Sequence, residues 1–189
     1  MQCNPDDLMS LINSESSFRP DLETGLMGFI SDTRKAYDFE PSKLSPVEQL
    51  PYIRNCLKDC KTIVFGKNSK HALSPGELYS IIFLPGRFKK ALDAGDEELV
   101  LTRKNDRYHP EFYSENEPLD KDGKKYITVQ DMAQRIEDFN AYNTCKKYHI
   151  AYRGTKNVGT DNLPETKPRL DEKLAKGKNV DNQGNPKTT

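Results

Sequence analysis

The sequence predicts a mainly helical single domain over residues 1–150, with short β or loop elements, followed by a polar, flexible tail over 151–189. Three observations carry this expectation. Apolar residues recur at helical spacing in several segments, first at Leu8, Leu11 and Ile12. Helix-start signals precede such runs: Ser45-Pro46-Val47-Glu48 and Ser74-Pro75-Gly76-Glu77 each place a Ser where the helix begins and a Glu three residues later, the capping-box pattern. From about Arg153 onward periodicity disappears and Gly, Asn, Lys, Pro and Thr dominate, a composition with too little apolar surface to order itself. A length of 189 residues suits one domain, or one domain and a tail.

The elements follow in order. Asn4 is a good N-cap, Pro5 a good first helical residue, and Asp6 and Asp7 suit the positive end of the helix dipole. Leu8, Leu11, Ile12 and Glu15 then fall on one face, so Glu15 continues an apolar stripe. Ser16 and Ser17 end this helix weakly, and Pro20 forbids its continuation. The second helix opens at Ser45 and runs to about Cys60 on the face of Val47, Leu50, Ile53, Leu57 and Cys60; Pro51 shifts its start or kinks it, and Lys61 to Phe65 extends it or forms a brief strand. Leu78 to Leu84 is apolar on nearly all sides, as a buried central helix should be, and Pro85-Gly86 ends it. Glu97 to Thr102 reads as a short strand and Arg103 to Pro110 as a loop. Thr128 starts a last helix with Val129, Met132, Ala133, Ile136 and Phe139 on its apolar face.

Glu15 is the candidate catalytic residue. A carboxyl group against an apolar wall has its neutral form favoured, so its pKa rises, which is what proton donation near neutral pH requires. The competing reading is a structural ion pair with Arg19 or Arg34. The segment Glu15-Ser16-Ser17-Phe18-Arg19-Pro20 followed by Gly25-Leu26-Met27-Gly28-Phe29 resembles the lysozyme-like soluble lytic transglycosylases and phage-type muramidases, whose usual form is E-S-x-F-x-P followed by G-L-M-Q. Gly28 stands where the family usually carries a cleft-lining Gln. Phe29, Ile30 and Thr33 fit the F-M-P-S-T segment that follows, whereas Ser31 and Asp32 do not. Leu44 to Leu50 is similar to the L-S-P-x-E-Q-x segment of phage-type members, and Leu78 to Pro85 to their L-Y-x-x-x-F-x-P stretch.

The resemblance implies a lysozyme-like (α+β) domain that cleaves the β-1,4 bond between N-acetylmuramic acid and N-acetylglucosamine, with Glu15 as the single acid and base of a lytic transglycosylase. It implies sugar contacts from Ser16, Ser17, Gly25, Leu26 and Met27. Ala141-Tyr142-Asn143 is similar to the family's A-Y-N motif, whose Tyr contacts the acid; there the family continues A-G and this chain Thr144-Cys145. Tyr113, in a Y-x-x-N stretch with Asn116, is the other source of that tyrosine. Asp21, Glu23, Asp32 and Asp38 lie near in sequence, and nothing selects one as a second carboxylate. A second acid recruiting water would make the enzyme a hydrolytic muramidase instead, and the rival outside enzymology is a lysozyme-fold binding or partner-docking protein that has lost catalysis.

Asp120 to Asp131 looks like an EF-hand-type loop and matches the D-x-N-G-D-G-x-I-T stretch of the same relatives. Calcium needs oxygens at loop positions 1, 3 and 5, a glycine at 6 and an acid at 12. Asp120, Asp122 and Asp131 remain, but Lys124 and Lys125 hold positions 5 and 6. An ammonium there repels calcium and neutralises the acids itself, so a metal-free structural turn is expected, and no metal or cofactor is assigned.

Hydrophobic residues make up 34% of the chain and charged ones 31%, and Lys+Arg equals Asp+Glu at 29 each. No global field draws such a chain to nucleic acid or membrane, and no basic stripe with interleaved aromatics appears. With no tryptophan, a sugar-stacking platform must use Tyr or Phe. No signal segment and no run of membrane-spanning length is visible. The expected partner is the glycan strand of peptidoglycan, reached after phage lysis, virion entry or secretion; an immunity or inhibitor protein, or a secretion or virion component, belongs to those routes. Cys56 and Cys60, four apart on a helix, read as buried free thiols, because a helix points their Cβ atoms unhelpfully for a disulfide. A bridge from Cys3 or Cys145 stays open.

Overall fold

The computed structural model describes residues 2–147, apart from the side chains of Cys145 and Lys147. The segment 151–189, expected to be a flexible tail, lies outside the described residues. Among the described residues the chain is mainly helical: α1 (Pro5–Ser16), α2 (Ser31–Tyr37), α3 (Pro46–Phe65), α4 (Pro75–Phe83), α5 (Pro85–Asp93), α6 (Glu111–Ser114), α7 (Val129–Asp138) and α8 (Ala141–Lys147), with one antiparallel hairpin-like pair, β1 (Val100–Arg103) and β2 (Tyr126–Thr128). None of the helices is long and apolar enough to cross a membrane.

The helix starts follow their local chemistry. Asn4 caps α1 through a 3.0 Å bond from Asp6 N to its side chain. Ser45, Ser74 and Thr128 open α3, α4 and α7 with complete capping boxes to Glu48, Glu77 and Asp131. α3 runs past Cys60 to Phe65 and passes through Pro51. The proline withholds a bond from the carbonyl of Val47, a residue on the exposed side of the helix. Pro85 ends α4 by opening α5 at once, in the first-turn position where its missing N–H costs nothing.

α4 is the central helix, with Leu78, Tyr79, Ser80 and Ile81 buried. It lies against α7, and also against α1, α3 and α5. The α4–α7 approach is so close that a Cβ on Gly76 would stand 2.4 Å from the carbonyl oxygen of Val129. One continuous core of Leu11, Ile12, Ile53, Leu57, Leu78, Ile81, Phe88, Leu101, Ile127 and Met132 ties these elements together. α1 is covered on more sides than its apolar stripe suggests. Ser10 and Asn13 are buried because they hold the α7–α8 corner: Ser10 Oγ accepts from Ala141 N at 3.1 Å, and Asn13 Nδ2 donates to Phe139 O and Thr144 Oγ1, each at 2.8 Å.

Cys3, Cys56 and Cys60 are free thiols; Cys60 is buried and the other two partly so. In the EF-hand-like loop Lys124 Nζ sits 2.9 Å from both Asp131 oxygens, so the ammonium does neutralise that acid. Asp120 accepts instead from Tyr113 Oη and from the N–H groups of Lys124 and Lys125. Lys125 occupies the loop's glycine position with a left-handed φ of 70°.

Candidate active site

Glu15 lies in the last turn of α1, half-buried. Ser17 ends the helix in the left-handed conformation, its N–H bonding back to Asn13 O at 2.8 Å, so the chain turns away directly beyond the carboxylate. The carboxylate is enclosed by three further parts of the fold: Tyr79 of α4, Arg135 of α7 and Gly28 of the loop after α1. Burial raises its pKa. The nearby hydroxyls of Tyr79 and Ser14 and the charge of Arg135 pull it the other way, less strongly. The Tyr79 hydroxyl is held protonated by burial and by the Glu15 charge, so it donates to the carboxylate.

Arg19 and Arg34 are engaged elsewhere. Arg19 approaches Asp21 at 3.9 Å, and Arg34 binds Glu23 at 2.9 Å. The ion-pair reading of Glu15 with either arginine therefore does not describe this fold. Arg135 is close enough to act on Glu15 electrostatically, yet among the described residues no ion pair joins it to a carboxylate. Its guanidinium carbon stands 4.0 Å from the Phe139 ring centroid, and its buried Nε has no hydrogen-bond partner.

The Gly25–Phe29 loop is clamped by Gln49, a fully buried side chain of α3. Its Oε1 accepts from Leu26 N at 2.9 Å, and its Nε2 donates to the carbonyls of Pro20 and Pro41 at 3.0 Å and of Leu44 at 3.2 Å. The loop then turns through Gly28 at φ +60°, where a Cβ would lie 2.9 Å from Glu15 Oε2. Glycine at this position is thus the residue that leaves the carboxylate room, a physical reason for Gly28 where the resemblance expects Gln.

The expected sugar contacts separate under this geometry. Ser16, Leu26 and Met27 are buried, at 5%, 5% and 6% exposure, and belong to the packing rather than to a sugar surface; Ser16 Oγ donates to Ile12 O at 3.0 Å. Gly25 faces Pro41 and the Gln49 amide. Ser17 is exposed beside the acid. Neither expected tyrosine meets Glu15. Tyr113 is buried with its hydroxyl 2.7 Å from Asp120, because the α6 turn delivers it to the EF-hand-like loop. Tyr142 is 61% exposed on α8 beside exposed Asn143, whose N–H bonds Asn140 Oδ1. The tyrosine at the acid is Tyr79, which sequence reading left as core; Arg135 was not singled out, and Gln49 entered only as part of the Leu44–Leu50 segment. A buried Tyr needs a partner for its hydroxyl, and that was the available sign for Tyr79.

A half-buried carboxyl group whose burial raises its pKa, with the Tyr79 hydroxyl and the Arg135 charge nearby, can give up a proton and then carry the resulting charge. Asp21, Glu23, Asp32 and Asp38 are all exposed, and none of them acts on Glu15. Comparison of the chain with protein-family models, with curated proteins and with solved structures finds no match.

Proposed function

We propose that the protein is a peptidoglycan lytic enzyme with a lysozyme-like fold, in which Glu15 is the acid and then the base of a lytic transglycosylase. The observation that carries this reading is the burial of Glu15 at the end of α1, which favours its protonated form more than Tyr79 and Arg135 oppose it and does so without an ion pair. In the first step Glu15 gives its proton to the glycosidic oxygen as the bond from the muramyl C1 breaks. The carboxylate, held by the Tyr79 hydroxyl and the field of Arg135, then takes the proton of the muramyl 6-hydroxyl as that oxygen closes on C1. The product is a 1,6-anhydro sugar, and Glu15 is protonated again.

The single-acid form is preferred over a hydrolytic muramidase because the charge acting on Glu15 is the cation Arg135, not a second carboxylate. A hydrolase usually needs two carboxyl groups at a set separation. Digestion of purified murein sacculi with mass spectrometry of the products tests this. Anhydro-muropeptides are expected; reducing-end products would move the assignment to hydrolysis, and intact sacculi would remove it. The same digest separates this reading from the non-catalytic docking one, which predicts intact sacculi. The route to the wall, by lysis, virion or secretion, belongs to this proposal as well.

A further inference from the structure

A second site lies away from Glu15, where α5 meets β1, and it does not depend on the lytic reading. β1 is irregular: Val100 pairs with Thr128, yet Thr102 pairs with Ile127, so two steps on one strand answer one on the other. Such a bulge re-aims a side chain. Consecutive residues of a regular strand face opposite sides. Here Leu101 and Thr102 are both buried, at 1% and 3% exposure. Leu101 joins the core. Thr102 lines a cavity of about 200 Å³ together with Arg87, Lys90, Asp96, Arg103 and Asp106, and its buried hydroxyl has no hydrogen-bond partner. A buried hydroxyl without a partner is costly, and its persistence calls for a reason.

The charges around that hydroxyl are unequally engaged. Asp106 is neutralised by Arg87 at 3.0 Å and accepts from the N–H groups of Tyr108 and His109. Asp96 accepts from the N–H groups of Glu98 and Val100, each at 3.1 Å. Lys90 makes no ion pair among the described residues, and Arg103 makes none beyond lying 5.1 Å from the Tyr126 ring. Arg103 is also the wall shared with a neighbouring cavity of about 400 Å³, lined by Lys104, Asn105, Lys124, Lys125 and Tyr126.

We propose that Thr102, Lys90 and Arg103 form a binding site for the phosphate monoester of a small polar molecule, whose carrier group extends over Tyr126 into the neighbouring cavity. Two uncommitted cations suit a phosphate monoester, which carries about −1.5 to −2 charge at pH 7, better than a carboxylate or a diester with one charge. The hydroxyl supplies the third donor and gains the partner it lacks.

Titration of the full chain, followed by backbone-amide NMR, tests the site with inorganic phosphate, glucose 6-phosphate, dimethyl phosphate and acetate. Inorganic phosphate and glucose 6-phosphate are expected to shift Lys90, Thr102 and Arg103 saturably, with Kd at or below about 1 mM, and only the sugar ester should also move Tyr126. Dimethyl phosphate and acetate should bind at least about tenfold more weakly. Lys90→Gln and Arg103→Gln, both at exposed positions, should each weaken binding about tenfold. Thr102→Val should weaken binding while raising Tm of the free protein, a pairing that a merely structural hydroxyl does not give. Non-saturating shifts, equal binding of the singly charged probes, or undiminished binding by the Lys90 and Arg103 variants would overturn the site.

Discussion

At the scale of single residues the acid is defined by what surrounds it. Burial outweighs the nearby Tyr79 and Ser14 hydroxyls and the Arg135 charge, so the pKa of Glu15 in the folded protein lies above its unfolded value. Stability from this group is therefore complete below the unfolded pKa and is lost as pH rises through the folded one. Glu15→Gln should raise Tm at neutral pH while reducing murein turnover by about 10²–10⁴-fold, the usual share of general acid catalysis. Scanning calorimetry beside a turbidity assay reads both. Tyr79→Phe removes a donor that favours the carboxylate, so the folded pKa of Glu15 should climb further, and the alkaline limb of the pH–rate profile, where Glu15 loses its proton, should move to higher pH. Carbon NMR of the Glu15 carboxyl checks the direction; a shift toward lower pH would show that the hydroxyl does not bond the carboxylate. Gly28→Ala forces a Cβ against Glu15 Oε2 in a left-handed backbone, which costs roughly 1–2 kcal/mol for the conformation alone and should suppress turnover. An active and fully stable Gly28→Ala protein would contradict the placement of the loop.

At the scale of elements the site depends on one side chain that touches no substrate. Gln49 joins α3 to the Gly25–Phe29 loop and to the chain at Pro20, Pro41 and Leu44. Gln49→Leu would leave buried backbone groups unpaired at a cost of about 3–5 kcal/mol, and denaturant unfolding should show it. Glu15 itself was legible in the sequence, because its position follows from Asn4, Pro5 and the spacing of Leu8, Leu11 and Ile12, all within one helix. The capping residues Ser45, Ser74 and Thr128 were legible for the same reason. Tyr79, Arg135 and Gln49 were not, since periodicity gives the face of a helix but not which distant residue that face meets. Tyr113 and Tyr142 were misplaced by the same gap: each stands in a plausible local pattern, yet tertiary packing sends one to Asp120 and leaves the other in water. The β1 bulge was invisible for a different reason, because register is a property of two strands and Val100 to Arg103 carries no mark of it.

At the scale of the molecule, equal numbers of acids and bases conceal an uneven distribution, with Arg87, Lys90, Arg103, Lys104, Lys124 and Lys125 gathered around two adjoining cavities. Among the described residues one core joins α1, α3, α4, α5 and α7 to the β pair. The polar composition of 151–189 predicts that a chain ending at residue 150 unfolds in one transition at the Tm of the full chain and retains its turnover; a drop of several degrees would assign those 39 residues a share in the fold. One detail of the loop before α7 has a wider effect. Because Lys124 carries its own positive charge to Asp131, the loop has a covalently attached counter-ion in place of a diffusible one. Chelators such as EDTA should leave its melting curve unmoved, and the loop should hold the same shape however much free divalent ion surrounds it.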